Sequence, residues 1–133
     1  KGLPSLVDLD LGRNLLTTIE MLHLPSLLRL NLAGNSLSDF LANLDLPVLT
    51  SLDLTSNTIT TMDGIRRLAN LNILIAEHNL IDDLSPIMPL SSLTVARFAC
   101  NRLASLTNVR QVLLCMKSLT ALSFWGNPIA SDP

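Results

Sequence analysis

The chain lacks tyrosine altogether and has one tryptophan, Trp125, and three phenylalanines in 133 residues, so aromatics make up only 3%. Single-strand nucleic-acid platforms rely on stacked aromatics and a basic groove, and neither is available. Charge is scarce as well, 15% of residues, against about 25% in ordinary globular chains. A net charge of −2 and a pI near 5.5 supply no basic footprint for nucleic acid or an anionic membrane surface. There are two cysteines, Cys100 and Cys115, and no Cys-x-x-Cys pair or Gly-rich phosphate loop, which removes the common thiolate metal sites and nucleotide cradles. Mean hydropathy is high at +0.44. Yet the densest apolar run, residues 112–116, falls far short of the ~18 residues of a membrane-spanning helix. No basic stretch followed by an apolar one opens the chain, so no signal peptide is read, and "KGLPSL" reads as the start of a piece cut from a longer protein.

What the chain has is leucine, and the leucine is periodic. The pattern LxxLxLxxNxL occurs six times, starting at Leu6, Leu27, Leu49, Leu71, Leu93 and Leu119. The copies read "LVDLDLGRNLL", "LLRLNLAGNSL", "LTSLDLTSNTI", "LNILIAEHNLI", "LTVARFACNRL" and "LTALSFWGNPI". Starts are separated by 21, 22, 22, 22 and 26 residues, and the ninth position is always asparagine: Asn14, Asn35, Asn57, Asn79, Asn101 and Asn127. A polar residue that never slips out of register in a leucine-rich chain marks a structural repeat.

These copies resemble the leucine-rich repeat family, over residues 6–129. The resemblance implies an α/β fold: a right-handed curved solenoid, with a parallel β-sheet on the concave face and 3₁₀ or short helical turns on the convex face. The 133 residues are read as one domain of six repeats. Two positions depart from the pattern, Ala76 and Ala96. Small residues there predict a thinner core in the fourth and fifth repeats, with Phe98 available to fill part of it.

The residues themselves support this fold. Alternating leucines put one face of a short strand inward, and a single repeat buries too little to stand alone, so neighbours must share a core. Where the chain turns after each strand, buried backbone groups need partners. An asparagine amide has two donors and an acceptor, and the six asparagines are expected to form a ladder serving loops on both sides. Between repeats the apolar spacing of three, as in Ile59, Met62, Ile65 and Leu68, suits 3₁₀ turns. Asp63 and the Ser85-Pro86 pair are read as start signals, and His23 as ordinary packing. The longer fifth repeat has Val109, Val112, Leu113 and Met116 at helical spacing, which predicts an α-helix over about 108–116. The short repeat length is similar to the intracellular subclass that includes a regulatory subunit of protein phosphatase 1.

Equivalent positions of parallel strands form rows. The third-position row is Asp8, Arg29, Ser51, Ile73, Val95, Ala121, and the fifth is Asp10, Asn31, Asp53, Ile75, Arg97, Ser123. The seventh is Gly12, Ala33, Thr55, Glu77, Ala99, Trp125. Exposed Ile73, Ile75 and Val95 are expected on the concave face, near Arg97 and Trp125, two residue types enriched at binding hot spots. Arg97 and Glu77 lie on neighbouring repeats and could pair. The candidate partner-binding residues are Ile73, Ile75, Val95, Arg97, Trp125, Glu77 and Asp53. The competing reading is that these are ordinary scattered aliphatics, covered in part by flanking segments.

The eighth-position row holds Ser56, His78 and Cys100, a conceivable nucleophile–base arrangement, but without an evident pocket or orienting third group. No catalytic residue, metal site or cofactor is assigned. Cys100 and Cys115 flank opposite ends of a strand, too far apart for a disulfide, and free thiols favour an intracellular setting. The expected function is a non-catalytic module binding a protein partner through the concave face, with no nucleic acid, membrane or small-molecule substrate. The alternative is a structural subunit of a large cytoskeletal, axonemal or ribonucleoprotein assembly.

Overall fold

The computed structural model describes residues 3–130. Six three-residue strands carry the repeats: β1 (Asp8–Asp10), β3 (Arg29–Asn31), β5 (Ser51–Asp53), β6 (Ile73–Ile75), β7 (Val95–Arg97) and β8 (Ala121–Ser123). They form one parallel sheet in the order β1-β3-β5-β6-β7-β8. Every strand occupies the third to fifth positions of its repeat, and the register never shifts: Leu9, Leu30, Leu52, Leu74, Ala96 and Leu122 are direct neighbours. A parallel pair requires a return segment between its strands, and the repeat length supplies it. The result is a leucine-rich repeat solenoid with the sheet on its concave side.

The core runs the length of the stack between sheet and return segments. Leu52, Leu54, Ile59, Met62, Ile65 and Leu74 are fully buried. Ala76 and Ala96 are buried too, and next to Ala76 in the sixth-position row comes Phe98, also fully buried. Phe98 stacks on Phe124, ring centroids 6.5 Å apart at 16°. The small residue is thus followed by a large one, and alternation of that kind keeps a layered core filled.

The return segments contain 3₁₀ turns at Leu41–Asn43, Ile65–Arg67 and Ser85–Ile87. None of the three has a side-chain hydrogen bond from its N-cap residue, so Asp63 and Ser85 do not cap their turns, while Pro86 does sit in the opening positions of the last one, as its sequence suggests. Gly64 precedes Ile65 with φ +92°, where a Cβ would come within 2.9 Å of the Ala42 backbone. Shape, rather than a cap, starts that turn.

The fifth repeat forms α1 (Leu106–Cys115), which begins two residues before the expected position. Ser105 is its N-cap, accepting from the Asn108 amide at 3.1 Å. Val109 and Val112 are its buried face.

A second small sheet has no counterpart in the sequence reading. Strands β2 (Leu22–His23) and β4 (Leu44–Asp45) pair in parallel along the return side of the early repeats. His23 is exposed there rather than packed, with Nδ1 2.6 Å from Asp45 Oδ2.

Candidate functional site

Below the strands, the asparagines hold the turns. Asn57 donates to Leu54 O at 2.9 Å and to Leu32 O of the preceding repeat at 3.0 Å, and accepts from Leu37 N at 3.0 Å. Asn79 and Asn101 repeat this pattern with the previous repeat's Leu54 O and Ile59 N, and Ala76 O and Ile81 N. Asn35 and Asn127 do the same nearer the ends. Each amide therefore serves its own repeat and the one before it, not loops on both sides. Asn14 is exposed and bonds only within its own turn, to Leu11 O and Gly12 O.

The eighth position has a backbone task. Arg13, Ser56, His78 and Cys100 adopt φ of 55–58°, and Gly34 and Gly126 adopt 72° and 76°. All six repeats thus turn through the left-handed region at this residue, a conformation that disfavours most side chains. The Ser56, His78 and Cys100 amides donate to the next repeat's carbonyls, Glu77 O, Ala99 O and Trp125 O, at 2.9 Å. The row that suggested a nucleophile and base is thereby explained as a turn. Two glycines in that row were the available sequence signal.

Fifth-position side chains divide the concave face. Asp10, Asn31 and Asp53 each turn an Oδ1 onto the amide two residues on, Gly12, Ala33 and Thr55, at 2.9–3.0 Å. Ile75 and Arg97 have no such acceptor. Asp8 pairs with Arg29 across β1 and β3, Oδ2 to Nε 3.0 Å. Among the described residues the ion pairs are this one and His23–Asp45, so Arg97 and Glu77 do not pair. Ile73, Ile75 and Val95 are half-buried rather than exposed. On a flat row each branched side chain is shielded by its neighbours about 4.8 Å away; Ile73 lies between Ser51 and Val95, and Ile75 between Asp53 and Arg97. Arg97 is exposed, Asp53 and Glu77 are half-buried, and Trp125 is 64% exposed.

Trp125 is not isolated. Its ring stands nearly perpendicular to that of His78, two repeats back, with centroids 6.5 Å apart at 83°. Ala99, the seventh-position residue of the intervening repeat, is completely buried. Beside Trp125, a Cβ on Gly126 would stand 2.8 Å from Cys100 Sγ, so the last turn is tightly packed against the fifth repeat. Cys100 and Cys115 are both free thiols.

On the convex side Asp83 ties a 3₁₀ turn to α1. Its Oδ1 accepts from Ser85 N at 2.9 Å, Ser85 Oγ at 2.7 Å and Asn108 Nδ2 at 3.1 Å. The Ser85 amide above all, then the Ser85 hydroxyl and Asn108, lower its pKa against the opposing effect of burial. An open depression of about 470 Å³ lies here, lined by Asp63, Arg66, Asp83 and Ser85. No group of three or more His, Cys, Asp or Glu among the described residues could hold a metal ion. Nor is any helix among them long and apolar enough to cross a membrane.

No family model matches the chain, and no curated protein matches it in sequence. Solved structures do match. Internalin C2 of Listeria monocytogenes is 25% identical, with a TM-score of 0.69 over 94% of this chain and 64% of that one. A second internalin of that organism is 24% identical, with a TM-score of 0.75 over 94% of this chain and 43% of that one. A leucine-rich repeat protein of Leptospira interrogans is 23% identical, with a TM-score of 0.71 over 95% of this chain and 44% of that one. The chain spans less than two thirds of each of these structures. The likeness is one of fold, and the fold is that of the leucine-rich repeat proteins.

Proposed function

We propose that this chain is a non-catalytic module that binds a protein partner across its concave sheet. One observation carries the reading. Ile73, Ile75 and Val95 form a continuous aliphatic patch on two adjacent strands, bordered by Asp53, Glu77 and an Arg97 side chain that makes no ion pair with a described residue. An aliphatic centre with a charged border is the usual anatomy of a protein interface. Trp125 adds an exposed aromatic at the C-terminal edge. The asparagines remain structural in this reading. The test is partner affinity in Ile75→Asp and Trp125→Ala, with folding checked by circular dichroism. Unchanged affinity in both folded variants rejects this face.

A structural role within an intracellular assembly is favoured by a different observation, the apolar side chains exposed away from the concave sheet. Leu15 is 92% exposed, and Leu3, Met21, Leu113 and Leu114 are exposed as well. The intracellular setting rests on the two free thiols. The likeness to the phosphatase-regulatory subclass rests on the short 3₁₀ returns. A monomer that stays soluble without a partner favours the concave-face module; aggregation relieved by mutating Leu113 and Leu114 to polar residues favours the assembly role.

A further inference from the structure

We infer that the partner meets this face with an amphipathic α-helix laid across β5, β6 and β7. That helix presents a basic, an aliphatic and an acidic residue at i, i+4 and i+7. The inference rests on the concave-face reading and adds the form and chemistry of the partner's segment.

The fifth-position row sets both. Asp53, Ile75 and Arg97 are direct register neighbours on successive strands, so the row reads anion, aliphatic, cation at intervals of about 4.8 Å. A helix rises about 5.4 Å per turn, and residues i, i+4 and i+7 span about 10.5 Å, against about 10 Å for the three strands. An extended segment brings every second residue to the same side, and three of them span about 13 Å. Only the helix keeps three side chains in step with three strands. Alongside, Ile73 and Val95 of the third-position row widen the apolar surface to suit the broad apolar stripe of a helix.

Charge fixes the order. Asp53 is held by its bond to the Thr55 amide at 3.0 Å, so its carboxylate stands ready for a cation without further ordering. Arg97 is exposed and makes no ion pair or side-chain hydrogen bond with a described residue. The partner helix therefore places its basic residue over Asp53 and its carboxylate over Arg97. A second copy of this chain does not fit. Its one α-helix among the described residues, α1, offers Arg110 with exposed Leu113 and Leu114, but Leu106–Cys115 contains no Asp or Glu to meet Arg97.

The test uses an alanine-based helical peptide of about 15 residues bearing Lys, Leu and Glu at i, i+4 and i+7, titrated by fluorescence anisotropy at low salt. Saturable binding is expected. Exchanging Lys and Glu weakens it about fivefold or more, and the Asp53→Lys/Arg97→Glu variant prefers the exchanged peptide. Equal affinity for the two charge orders, equal affinity for a proline-broken peptide, or no saturation overturns the inference. So does self-association that Ile75→Asp abolishes, which assigns the face to a second copy. Loss of binding in Ile75→Asp combined with equal affinity for both charge orders keeps the face and rejects the helix order. Peptide binding untouched by Ile75→Asp rejects the face itself.

Discussion

The His78 and Trp125 rings, two repeats apart, meet nearly at right angles, centroids 6.5 Å apart at 83°. The contact spans the fifth repeat and couples the C-terminal edge of the concave face to its middle. Trp125 is the only tryptophan, so the emission of the chain comes from this ring. His78→Asn removes the ring while keeping a residue that tolerates the left-handed backbone. We expect a red-shifted Trp125 emission and a loss of about 0.5–1.5 kcal/mol. An unchanged spectrum would mean the two rings do not touch in solution.

The buried asparagines should be unequal to the exposed one. Asn79→Ala leaves Ile59 N without its acceptor and takes one of two amide donors from Leu54 O and Ala76 O, which keep Asn57 and Asn101. One unsatisfied buried group costs about 1–3 kcal/mol, and a loss of that size is expected in urea unfolding. Asn14→Ala, whose bonds are local and exposed, should cost under about 1 kcal/mol. Equal losses at the two positions would contradict this account.

Ser56 tests the left-handed turn. Ser56 has φ 58° and no side-chain hydrogen bond to a described residue, so its conformation serves backbone geometry. Ser56→Gly removes the steric penalty and Ser56→Val enlarges it. Their melting temperatures should differ in favour of glycine, by about 1–3 kcal/mol of stability. Valine equal to glycine would show that the turn imposes no strain.

Asp83 sets an acid-side dependence. Its pKa is lowered in the folded chain, chiefly by the Ser85 amide. Its contribution is therefore present above the unfolded carboxylate pKa and is lost as pH falls through the depressed folded value. Melting temperature followed downward from neutral pH should fall less steeply in Asp83→Asn than in the parent chain. Parallel curves would remove Asp83 from the acid response.

The sequence by itself determined the frame. Alternating leucines fixed which side chains go inward, and a six-fold spacing near 22 with an invariant asparagine fixed one strand per repeat. All six strands accordingly sit at the same three positions. It also marked the fifth repeat's helix to within two residues, because only that segment has room and helical spacing.

Tertiary structure decided what depends on a neighbour's position. That Ile73, Ile75 and Val95 are half-buried follows from strands packed side by side, which no single repeat encodes. Beyond their own repeat, the amides of Asn35, Asn57, Asn79, Asn101 and Asn127 reach the preceding one, a direction that an amide's symmetric capacity does not reveal. The left-handed eighth position is shared by Arg13, Ser56, His78, Cys100 and two glycines, residues with no common side-chain chemistry. The backbone must turn there to bring the asparagine beneath the previous repeat, and that need exists only once repeats are stacked.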